Sequence, residues 1–142
     1  MNGPTFLTTG AAPVSSPLAR VLAGAHGIRD LSLLVKHEVR GAEPGAGAIQ
    51  IRPGRFLVIG EPAESTGLVV DVTSALAGIE VDGEPLLRRL TALELDALPA
   101  TGKVAGVTAL LTRDGDSFRI FFAQEYGESV VEAVRDVQEG LA

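Results

Sequence analysis

The chain has no cysteine and no tryptophan, and only two histidines, one tyrosine and one methionine. Without cysteine there is no disulfide, no thiolate nucleophile and no Cys-based zinc site. Two histidines are too few imidazoles for a His-rich metal site. Positive charge is also scarce: 12 Lys and Arg stand against 18 Asp and Glu, for a net charge of −6 and a pI near 4.8. That balance argues against a nucleic-acid partner, because a phosphate backbone selects a basic face. Long apolar runs are missing too. No stretch approaches the ~18 residues that a membrane span needs. The N-terminal MNGPTFLTTGAAPVSSP has neither the basic start nor the continuous apolar core of a secretory signal. The expectation is a cytoplasmic protein without a nucleic-acid or membrane partner.

What is present is a globular composition. Hydrophobic residues make up 46% of 142 residues, enough for the core of one ordinary domain. Residues 1–15 interleave Gly, Pro, Ser and Thr and read as a flexible N-terminal arm, which leaves 16–142 as the single domain. Ser16-Pro17 reads as a helix cap followed by Pro at the first helical position, and Leu18, Val21, Leu22 and Ala25 recur at helical spacing up to Gly27. From Leu31 the period drops to two, which predicts a strand with Leu31, Leu33, Val35 and His37 on one side. AIQI and RFLVIG flank the turn Arg52-Pro53-Gly54-Arg55. VVDVTSALAGIEVDG predicts a long strand or a bent pair, then a helix with Pro85 near its start and Leu86, Leu87, Leu90 and Leu93 on one face. LELDALPATG reads as a loop. VAGVTALLT and SFRIFFA form a hairpin around Asp114-Gly115, and the last helix, starting near Glu125–Glu128, buries Val130, Val131, Val134, Val137 and Leu141. The fold class is α+β, with a largely antiparallel sheet and helices packed on one side of it.

One pattern is repeated. DLSLLVKHEVRGAEP begins at Asp30 and DVTSALAGIEVDGEP at Asp71, forty-one residues later. Each opens Asp-x-Ser/Thr after a Gly (Gly27, Gly67) and closes Glu-Val-x-Gly, with one extra residue in the second copy. The repeat predicts two pseudo-equivalent halves, about 27–60 and 67–139, that pair their sheets around a shared core. A helix follows Gly83 but not Gly41, where GAEPGAG stands instead.

Gly-x-x-Asp-x-Ser/Thr, a strand ending Val-x-Gly and a Leu-rich helix together resemble the tetrahydrofolate-dependent aminomethyltransferase (glycine cleavage T-protein) superfamily. Within it, the chain is most similar to the gamma subunits of heterotetrameric sarcosine oxidase. The resemblance is carried by Asp71-Val72-Thr73, Ile79–Gly83, Pro85–Leu93, Leu95-Asp96 with Pro99 and Gly102, AIQIRPGRFLVIG and FRIFFAQEYGESVVEAV, and spans roughly 17–139. It implies a folate-binding-domain-like fold and a non-catalytic gamma-type subunit of a complex that oxidatively demethylates sarcosine or a related methylamine. Flavin and NAD are then expected in larger partner subunits, and tetrahydrofolate is a possible ligand. The chain departs from the pattern in lacking a helix after Gly41, and GKVAGVTALL has no carboxylate where the aminomethyltransferases carry a catalytic Asp.

No catalytic residue or metal ligand is expected. Asp71 and Thr73, Arg88 and Arg89 on the second helix, and Tyr126 at the entry to the last are the ligand or interface candidates. Asp30 and Asp71 also fit turns that bond their own backbone. A partner-binding face is expected at GAGAIQI or VAGVTALL. The alternative reading is a free-standing folate-binding protein, whose pocket between the halves would need a carboxylate and a cation, with Asp71, Glu80 and the arginines as the candidates.

Overall fold

The computed structural model describes residues 16–41, 45, 47–60 and 67–142. The arm 1–15 and most of GAEPGAG lie outside the described residues. Among the described residues, nine strands and two α-helices follow in the order β1 (Ile28–Asp30), β2 (Lys36–Arg40), β3 (Ile49–Arg52), β4 (Arg55–Ile59), β5 (Leu68–Asp71), β6 (Leu76–Asp82), α1 (Glu84–Leu90), β7 (Ala100–Val104), β8 (Val107–Asp114), β9 (Ser117–Ala123) and α2 (Gly127–Leu141). They form two antiparallel sheets, β1-β6-β9-β8-β7 and β3-β4-β2-β5.

Period-two alternation in β6 and β9 builds the main core. Ala77, Ile79 and Val81, with Phe118, Ile120 and Phe122, face the helices and pack on Leu86, Leu87, Leu90, Val130 and Val134. Burying each of the larger side chains is worth roughly 1.5–3 kcal/mol. The opposite face of the same sheet meets the four-stranded sheet, where Phe121 and Leu110 pack on Leu57. The helices therefore cover one face of the larger sheet and the smaller sheet covers the other.

Each of the two similar segments crosses between the sheets. β1 lies in the larger sheet and β2 in the smaller; β5 lies in the smaller and β6 in the larger. The pairings coincide: Asp30 faces Ile79 and Asp71 faces His37, Arg29 faces Glu80 and Val70 faces Glu38. The turns coincide as well. Ser32 N–H donates to Asp30 Oδ1 at 2.9 Å, and Thr73 N–H to Asp71 Oδ1 at 2.8 Å. Gly78 N–H donates to Ser32 Oγ at 3.2 Å, and Lys36 N–H to Thr73 Oγ1 at 2.9 Å. Lys36 thus stands where the other segment has Gly78, and the extra residue of the second copy falls in its turn. Gly78 leaves no room for a side chain, since a Cβ there would lie 2.8 Å from the Phe121 ring.

Several expectations need correction. Pro17–Gly24 is a run of turns, with one i→i−4 bond (Leu22 N–H to Leu18 O, 2.9 Å) among i→i−3 bonds, and Gly24 and Gly27 at positive φ cut it short. The Ser16 cap forms (Leu18 N–H to Ser16 Oγ, 3.0 Å) and Leu18 is fully buried, so the apolar spacing holds without a helix. The strand expected from Leu31 to His37 is interrupted by the Ser32–Leu34 turn, which leaves Leu33 and Val35 exposed and buries Lys36. VVDVTSALAGIEVDG is the bent pair, broken at Val72–Ala75. VAGVTALLT is two strands, because Ala105 and Gly106 both adopt positive φ and close a tight β7–β8 hairpin. An alanine in that region is rare, so the residues give no turn signal. The β8–β9 hairpin turns at Gly115-Asp116, one residue beyond the Asp-Gly pair. Leu141, the last residue of α2, is exposed.

Candidate functional site

Between the sheets a cavity of about 350 Å³ opens, within the range of small-ligand pockets. Its apolar wall includes Leu57, Leu110 and Phe121, and its polar residues are Glu38, Arg52, Thr101 and Thr108. Glu38 reaches it because β2 alternates: its neighbours His37 and Val39 are buried on the other side, and Glu38 pairs with Leu57 on the side facing the larger sheet. Arg40 Nε donates to the Glu38 carboxylate at 2.6 Å, so the cavity's one acid is already ion-paired at its rim. The arrangement can accept N–H donors from a flat apolar ligand. Among the described residues that line it there is no Ser, Cys, Lys or His. His37 points to the opposite face, its Nδ1 2.9 Å from Gly60 O. Among the described residues no group of His, Cys, Asp and Glu is placed to hold a metal, and no helix is long and apolar enough to cross a membrane.

The sequence candidates fall in three places. Asp71 and Thr73 stand together at the end of β5, where the Thr73 backbone N–H holds the Asp71 carboxyl below its ordinary value. Arg88 and Arg89 lie on α1, behind the larger sheet; Arg88 is ion-paired to Glu84, and Arg89 reaches toward Gly140 of α2. Tyr126, half exposed, precedes α2. None of the five lines the cavity. Glu80 does not line it either; Arg29 (2.8 Å) and Arg119 (3.1 Å) engage it and hold its carboxyl below the ordinary range. Of the two segments expected to offer an apolar face, VAGVTALL is spent on the core, with Val104, Val107, Ala109, Leu110 and Leu111 all buried.

Sequence reasoning missed Glu38 as the cavity carboxylate and missed Lys36 altogether. The Lys36 side chain is fully buried, and its ammonium donates to Ser32 O (2.7 Å), Leu34 O (2.8 Å) and Thr73 O (3.4 Å). Burial lowers its pKa, while Asp30 and Asp71 act the other way. It ties the turn of one segment to the turn of the other. The available signal was a lone cation inside LSLLVKHEV.

The fold and cavity define an α+β protein of two antiparallel sheets and two helices. No family model matches the chain, and no curated protein matches it in sequence. Among solved structures it is similar to a chain of the heterotetrameric sarcosine oxidase from Corynebacterium sp. U-96, determined in complex with pyrrole 2-carboxylate. The TM-score is 0.73 at 17% identity, over 89% of this chain and 95% of that one. At that identity the likeness shows a shared fold.

Proposed function

We propose that the chain is a non-catalytic, gamma-type subunit of a heteromeric sarcosine-oxidase-like amine oxidase, with flavin and NAD held by larger partner subunits. The observation that carries this is the extent of the fold match: it covers nearly all of both chains, so the likeness is to a whole subunit of a heterotetramer. The matching pairings and Asp turns of the two segments support reading 16–142 as one domain of two pseudo-repeated halves with a folate-binding-domain-like fold. In this reading the complex is cytoplasmic and its reaction feeds one-carbon metabolism. Asp71, Thr73, Arg88, Arg89 and Tyr126 are proposed as contacts to the partners. The test is affinity purification of the tagged chain from its native host. Co-eluting large chains with flavin absorbance are expected; a lone colourless protein overturns the proposal.

The cavity supports a second reading, a free-standing folate-binding protein in which Glu38 accepts from the pterin and Arg52 meets the glutamate tail. Titration with tetrahydrofolate decides it. Saturable binding that Glu38→Gln weakens is expected on this reading, and no binding refutes it.

A further inference from the structure

Two antiparallel sheets leave four edges, and an unprotected edge is a template for another strand. Three of the edges carry protecting features. β1 is three residues long and carries Arg29, ion-paired to Glu80 and Asp82. β3 holds Arg52 and a register shift between Gln50 and Arg52. β7 carries Lys103 and is bridged at Val104 by Thr91. The fourth edge, β5, differs. Leu68, Val69 and Val70 are uncharged and 58%, 38% and 37% exposed, and no Pro, Gly or Lys interrupts them. The contrast is sharpest against β1. Where β1 puts Arg29 opposite Glu80, β5 puts Val70 opposite Glu38.

The backbone of β5 is half used. Val72 N–H donates to Lys36 O at 2.9 Å, which fixes the ladder phase. Val70 and Leu68 then exchange bonds with β2, while the N–H and C=O groups of Val69 and Asp71 point outward. We infer that β5 is a strand-addition site that docks an extended segment of another protein, apolar at alternate positions and carrying Lys or Arg opposite Asp71. The edge chemistry specifies a strand, because only an extended backbone satisfies donors and acceptors at that spacing. Charge selects a different protein over a second copy. Each chain carries −6, and a second copy would bring another exposed Asp71 to the same seam. The inference rests on the proposed function only in requiring a protein partner.

The test uses the full chain and a synthetic probe, Ac-KVTVTVK-NH2, with the proline-broken Ac-KVPVPVK-NH2 as control. Hydrogen exchange at Val69 and Asp71 is expected to slow roughly tenfold with the first peptide and not with the second. Val69→Pro removes only an outward N–H, and Val69→Lys leaves the backbone intact; either is expected to weaken binding by roughly tenfold or more. Unchanged exchange, or binding by both variants as tight as by wild type, overturns the inference. A wild-type dimer that Val69→Lys dissociates assigns the edge to a second copy and overturns the chosen partner. Flavoprotein chains that co-purify equally with wild type and Val69→Pro sink the edge and leave the subunit reading standing. Peptide binding by a chain that recruits no flavoprotein does the reverse.

Discussion

Replacing Lys36 by Met keeps the apolar stem of the side chain out to Cε and removes its ammonium. In the wild type that ammonium donates to Ser32 O and Leu34 O at 2.7 and 2.8 Å, while the contact to Thr73 O at 3.4 Å is long enough to set aside. Both turn carbonyls then lose their charged donor beside a fully buried site. Leaving a buried acceptor unpaired costs about 1–3 kcal/mol, so two cost about 2–6. Against this, the variant no longer buries an ammonium, which offsets part of the loss. The expected net destabilisation is about 2–3 kcal/mol, or roughly 6–12 °C in Tm for a chain of this size. Urea and thermal unfolding followed by circular dichroism would measure it. The pH dependence gives a second reading. Because burial lowers the folded pKa of Lys36 below 10.5, the unfolded chain binds more protons between those two values. Wild-type stability should therefore rise with pH across that window, and Lys36→Met should lose the rise. A Met variant as stable as wild type at neutral pH would refute the view that this ammonium holds the Ser32–Leu34 turn.

Two further outcomes follow from the crossing turns. Gly78→Ala should destabilise by about 1–3 kcal/mol, because the new Cβ lies 2.8 Å from the buried Phe121 ring and 3.3 Å from Leu31 Cβ; unchanged thermal unfolding would show that the ring yields freely. Asp71→Asn should remove a contribution that is present above the ordinary carboxylate value of 3.8 and lost as pH falls through the lower folded value, because the Thr73 N–H favours the ionised form. A stability difference between wild type and variant that stays the same from above 3.8 to below the folded value would contradict it.

Much of this architecture was readable where one physical signal dominated. The alternation of SFRIFFA, the Leu-rich face after Pro85 and the Val spacing of the last helix each placed their element. The doubled Asp-x-Ser/Thr pointed to two turns that bond their own backbone. What failed did so where tertiary contacts override a local pattern. Leu33 and Val35 continue a period of two, yet Ser32 is drawn into a turn by bonds with Gly78, forty-six residues away. The Ala105-Gly106 turn has no sequence signal, because an alanine at positive φ is held there by its surroundings; Ala105 N–H donates to Leu90 O at 2.7 Å. The cavity was anticipated as lying between the halves, but its carboxylate was sought at Asp71 and Glu80. Which carboxylate faces inward depends on which strands lie between the sheets, and only the register of β2 brings Glu38 there.

The exchange of strands between the sheets also sets an order in time. A chain emerging from the ribosome can close the β3–β4 hairpin early and lay β2 against it, since those pairings are local. β1 has to wait. Arg29 finds Glu80 only after fifty-one more residues have been made, and the larger sheet gains β9 later still. Long loops closed before any reward slow folding. During that interval the unfinished small sheet has only Leu57 and its neighbours to set against a core that does not yet exist. The second half of the chain completes the first.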